Sequence, residues 1–87
     1  MYYVYIVKNP NNKIYIGISE NLKKRIHAHN IKQGALFTQG GNFTIVFYEE
    51  YQTLTEARKR EIQIKKWSRE KKEMLIERFE KGLPTKL

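Results

Sequence analysis

The sequence contains no cysteine. That excludes disulfide staples, thiolate zinc sites and a cysteine nucleophile. It also fits a reducing, cytoplasmic setting. Long apolar runs are missing as well. The longest, Met1 to Val7, falls far short of the roughly 20 residues that a membrane-spanning helix needs. No basic segment precedes it, so a secretory signal is not expected. Internal repeats, low-complexity tracts and linkers are absent too. Acidic residues are scarce: nine Asp and Glu stand against 17 Lys and Arg, for a formal net charge of +8. A small domain this basic is drawn to polyanions through phosphate contacts and counterion release. Nucleic acid is therefore the expected partner, and a membrane is not.

What is present fits one small domain. At 87 residues, only about 60–65% of the unfolded chain's surface is buried on folding. That permits a single thin core over residues 1–87 and excludes a two-domain enzyme with a cleft between its halves. The apolar share of 40% and aromatic share of 13% allow the core to hold by packing alone. Nothing in the sequence specifies an oligomer.

Local patterns give the order β-β-α-β-α-α. Residues 2–8 and 13–18 are rich in β-branched and aromatic side chains and read as strands. Asn9-Pro10-Asn11-Asn12 between them has turn chemistry, since Pro presets φ and Asn tolerates the left-handed region. Ser19-Glu20-Asn21 offers capping residues for a helix from about 20 to 33. A loop with three glycines spans 34–42, and 43–51 read as a third strand. Thr53 and Glu56 have capping-box spacing and open a helix to about Trp67. Ser68 caps a last helix through Lys81, ended by Gly82 and Pro84.

Ionisable groups on apolar faces carry the chemistry. Leu54, Ala57, Glu61 and Ile64 form one helical stripe. A carboxylate there needs a cation, a donor or a metal, so Glu61 is either paired with a nearby Lys or Arg or does metal or acid–base work. Arg25 and His29 border the apolar stripe of the first helix, and guanidinium suits phosphate oxygens. Tyr5 and Tyr15 share a sheet face if the hairpin connection is odd, as with Pro10-Asn11-Asn12 between Asn9 and Lys13, and oppose each other if it is even. Gly17 inside a strand marks close approach by another group or a ligand.

Tyr3-Val4-Tyr5, ten residues before Tyr15-Ile16-Gly17, resembles the signature of the GIY-YIG endonuclease superfamily. Arg25 and His29 after the second half, and Glu61 on the helix after the third strand, extend the likeness over nearly the whole chain. The sequence is most similar to the small stand-alone, UvrC-like (UPF0213-type) members. In those, segments like His29-Asn30, Val46-Phe47-Tyr48-Glu49 and Glu61-Ile62-Gln63-Ile64-Lys65-Lys66-Trp67 recur. The resemblance implies an α+β fold with a three-stranded antiparallel sheet flanked by helices. It also implies cleavage of nucleic-acid phosphodiesters, DNA rather than RNA, with one divalent cation, Mg²⁺ or Mn²⁺. Repair proteins would be partners.

On that resemblance, Glu61 holds the metal, Arg25 clamps the scissile phosphate, and His29 orients a tyrosine or the phosphate. Tyr5, or failing that Tyr15, activates the attacking water, which needs positive charge nearby because a free tyrosine has a pKa of about 10. Gly17 lets the backbone approach the substrate. Residues 58–72 hold eight cations, among them Arg58, Arg60, Lys65 and Lys66, against two carboxylates, and are expected to follow the phosphate backbone. Two positions depart from the pattern: Tyr3 stands where the signature has its first glycine, and no Asn follows Asn42, although larger relatives carry one after the metal-binding Glu. The second function to weigh is therefore a nucleic-acid-binding module without catalysis.

Overall fold

The computed structural model describes residues 1–22 and 43–87. The helix expected from about 20 to 33 begins at Leu22. From residue 23 on it lies outside the described residues, and so do Arg25 and His29.

Three strands, β1 (Tyr2–Lys8), β2 (Ile14–Ser19) and β3 (Thr44–Tyr51), form an antiparallel sheet in the order β2-β1-β3. The β1–β2 turn is the odd one. The Asn12 amide donates to the Asn9 carbonyl at 3.0 Å, and the Asn9 amide to the Lys13 carbonyl at 3.0 Å. Asn12 takes the left-handed conformation (φ 65°) that Asn tolerates. The buried Asn9 side chain accepts from the amides of Asn11 (3.0 Å) and Lys13 (2.9 Å), so the turn is braced from within.

Central β1 is covered on both sides: Val4, Tyr5, Ile6 and Val7 are all buried. Val4 and Ile6 face a layer of two helices, α1 (Leu54–Lys66) and α2 (Arg69–Glu80), which contributes Ala57, Ile64, Leu75 and Ile76. Tyr5 and Val7 face the other way, onto Phe43, Leu22 and Ile45. The register of β3 slips between Ile6 and Val7. Ile6 pairs with Phe47 and Val7 with Ile45, which leaves Val46 as an extra residue. The bulge lets Val46 and Phe47 both pack on the helix layer while Ile45 packs on the opposite one.

Both helix starts follow the sequence signals. The Glu56 amide donates to Thr53 Oγ1 at 3.2 Å, and that hydroxyl donates to Glu56 Oε1 at 2.9 Å. The Ser68 hydroxyl accepts from the Lys71 amide at 3.3 Å. Helix α2 ends as expected at Gly82 (φ 70°). The Gly82 amide reaches the Phe79 carbonyl at 3.1 Å and the Leu83 amide that of Arg78 at 2.8 Å, the two bonds of a Schellman cap. One residue of the expected α1 stripe is misplaced: Leu54 is 40% exposed, because the buried face is Ala57, Glu61 and Ile64. Two polar contacts fasten the hairpin to α2. Lys8 bridges to Glu73 at 3.2 Å, and an Arg69 guanidinium N–H donates to the Asn12 carbonyl at 2.6 Å. Among the described residues no helix is long and apolar enough to cross a membrane.

Candidate active site

The odd turn settles the tyrosines. In the β1–β2 register Tyr5 lies opposite Gly17 and Val7 opposite Tyr15. Partners across a ladder share a face, so Tyr5, Tyr15 and Gly17 form one cluster on the side away from α1. Tyr5 is 2% exposed and Tyr15 is 38% exposed. Tyr15 meets Phe43 edge-on, with ring centroids 5.3 Å apart.

The close approach foreseen at Gly17 is made by Tyr5. A Cβ on Gly17 would lie 2.6 Å from the Tyr5 Oη and 2.9 Å from its Cζ. The phenol therefore lies across the strand on bare backbone, and any side chain at 17 would displace it.

Glu61 sits on the other side of the sheet, between Ala57 and Ile64 on the buried face of α1. Two cations on its own helix meet it: Lys65 Nζ at 3.3 Å and Arg58 Nη1 at 4.0 Å. The carboxylate side chain is 12% exposed, while those of Lys65 and Arg58 are 53% and 60% exposed. The cations lean in from solvent over a carboxylate that does not move out to them. The phenols and the carboxylate thus come from opposite layers.

Among the described residues no group of three or more His, Asp or Glu side chains could hold a metal. A single hard carboxylate oxygen donor suits Mg²⁺ or Mn²⁺, which keep several waters and take few protein ligands. The Lys65 ammonium at 3.3 Å already sets a positive charge against Glu61. Lys66, in the last turn of α1, is exposed.

The basic run is not uniform, which corrects the expectation that all of 58–72 follows phosphates. Arg60 turns inward and is 11% exposed. Its Nε donates to Glu49 Oε1 at 2.8 Å, its Nη2 to the Thr85 carbonyl at 2.9 Å, and its Nη1 to Gln63 Oε1 at 2.8 Å. Glu49 also accepts from the Tyr51 hydroxyl (3.0 Å) and the Thr85 hydroxyl (3.1 Å). Burial first, and then the Glu49 charge, push Tyr51 up to about 12, so it stays a donor. The signal for this was the spacing of Arg60 three residues after Ala57 and four before Ile64, which sets it at the rim of the buried stripe.

Comparison with known proteins gives a concordant result. Residues 1–74 match the GIY-YIG catalytic domain. A UPF0213 protein of Clostridium perfringens is 44% identical over 77 residues, which is 87% of this chain and 83% of the relative. A UPF0213 protein of Staphylococcus haemolyticus is 39% identical over 77 residues, covering 87% of this chain and 94% of its own. The solution NMR structure of a UPF0213 protein from Bacillus halodurans superposes with a TM-score of 0.58 at 34% identity, over 88% of this chain and 84% of that one.

Proposed function

The chain belongs to the GIY-YIG family, a family of nucleases, and from that premise we propose that it is a metal-dependent endonuclease acting on nucleic acid. Its substrate would be DNA rather than RNA, selected by structure rather than by sequence. The observation that carries this reading is the Tyr5–Tyr15–Gly17 cluster. The family's two signature halves meet across one strand pair with a phenol packed directly on glycine.

Phosphodiester hydrolysis needs an oriented water, a partner for the phosphate charge and help for the leaving oxygen. Tyr15 is the phenol open to solvent; it holds and orients the attacking water. Tyr5 is buried against Gly17, and it fixes the cluster. Arg25 clamps the scissile phosphate and His29 orients it. Glu61 is the residue to hold Mg²⁺ or Mn²⁺. When bound, such an ion neutralises phosphate and leaving-group charge. With Glu61 holding such an ion, Lys65 and Arg58 would be released to phosphate oxygens, with Lys66 beside them. The domain acts as one unit over residues 1–87, in the cytoplasm, with repair proteins as partners.

A second reading is a nucleic-acid-binding module without catalysis. It is favoured by the ion pairs that already satisfy Glu61 and by the lack of any Asn after Asn42. The test is a panel of branched, single-stranded and duplex DNA incubated with Mg²⁺, Mn²⁺ or EDTA. Metal-stimulated nicking that Glu61→Gln abolishes, with the melting curve retained, is expected. Binding without nicking selects the module, and nicking that survives Glu61→Gln removes Glu61 from the chemistry.

A further inference from the structure

One of the chain's two basic runs lies where the two helices meet; the other, residues 23–32, lies outside the described residues. Residues 65–72 hold five cations (Lys65, Lys66, Arg69, Lys71, Lys72) and one carboxylate, Glu70. Half of the chain's net +8 therefore lies in eight consecutive residues. They form the elbow where α1 ends and α2 begins. Lys65 is paired with Glu61 and Arg69 with Glu73; repulsion among Lys66, Lys71 and Lys72 remains, and a polyanion would offset it.

At the apex stands Trp67, the protein's one tryptophan. It caps α1 in an extended conformation, and its amide donates to the Ile64 carbonyl at 3.1 Å. The indole is half-buried and packs against the helix–sheet core. Two cations lie by its ring. The Arg60 guanidinium is 5.2 Å from the centroid and is fixed from within by Glu49. Lys71 Nζ is 4.3 Å from the centroid and belongs to an exposed side chain. The inner cation holds the ring in place, and the outer one is free to leave it.

We propose that this elbow binds single-stranded nucleic acid, with one base stacked on Trp67 and the flanking phosphates on Lys66 and Lys71. The inference rests on nucleic acid being the substrate, as argued above, and assigns it a docking place away from the Tyr5–Tyr15 cluster. An exposed ammonium on an indole face is a weak, mobile contact. A base offers a larger stacking surface, worth a several-fold change in affinity per aromatic, and it arrives with a phosphate for the displaced lysine. The preference for a single strand follows from the ring, since bases inside a duplex present no free face.

The test is run in EDTA, so that it is independent of cleavage. All tryptophan emission comes from position 67. A short oligothymidylate should quench that emission, while an abasic oligonucleotide of equal charge should bind with little quenching, and duplex DNA likewise. Binding of a labelled oligothymidylate, followed by anisotropy, should weaken about fivefold in Trp67→Phe and at least tenfold in the double variant Lys66→Glu/Lys71→Glu. Equal quenching by the abasic and thymidine strands, or by duplex and single strand, would overturn the stacking. Unchanged affinity in the lysine variant would overturn the site. Should the binding result hold while the protein fails to nick DNA with metal, the nuclease reading falls and the docking site stands.

Discussion

Two carboxylates of similar burial have opposite surroundings. Glu49 is 18% exposed and Glu61 is 12% exposed. Glu49 meets Arg60, itself 11% exposed, and both of its oxygens are also held by hydroxyls. Glu61 meets Lys65 and Arg58, both more than half in water. The difference lies in the cations. A buried, multiply bonded guanidinium cannot leave without stranding its partner, whereas an exposed lysine or arginine pays little to let go. The first arrangement is a lock on the C-terminal segment. The second is a carboxylate kept available.

The contrast can be broken most forcefully at Arg60. Arg60→Ala strands Glu49 and frees the carbonyl of Thr85, and should cost about 3 kcal/mol in urea unfolding. A loss below about 1 kcal/mol would mean that the lock is no stronger than a surface pair. Gly17→Ala comes next. The new methyl would force the Tyr5 ring off the strand, at about 2 kcal/mol, and should lower any metal-stimulated nicking together with stability. An unchanged melting curve would show that the phenol shifts without strain.

Tyr51→Phe removes one bond to Glu49, worth about 1 kcal/mol, and its pH dependence sharpens the point. Because the folded value is raised to about 12, Tyr51 supports stability below its ordinary value of about 10. That support is lost as the pH climbs from there through 12. The stability gap between wild type and Tyr51→Phe should thus shrink between pH 9 and 12; a constant gap would place the raised value elsewhere. The smallest effect belongs to Lys65→Ala, expected within about 0.5 kcal/mol. A loss like that of Arg60→Ala would erase the distinction between the two carboxylates.

The sequence made the local features readable. Asn9-Pro10-Asn11-Asn12 carries its own turn chemistry, and through loop parity it places Tyr5 with Tyr15. Thr53, Ser68 and Gly82 mark helix ends through bonds made within a few residues. Glu61 was visible as a charge on an apolar stripe, and its lysine and arginine partners were one of the two outcomes that the pattern allowed. Features set by distant partners were hidden. The spacing of Arg60 sets it at the rim of the buried stripe, but nothing local names Glu49, eleven residues earlier, as its partner. Gly17 announces a close neighbour without naming Tyr5, and the Ile45-Val46-Phe47 run gives no sign of a bulge, because each of those residues suits a regular strand.

That bulge has a consequence for how the chain could change length. Removing Tyr48, for example, would exchange inner and outer side chains from there onward and would carry Glu49 away from Arg60. Removing Val46 alone keeps Ile45 opposite Val7 and Phe47 opposite Ile6. Deletion there would forfeit one apolar contact and the strand's local bend, and would leave every other pairing in step.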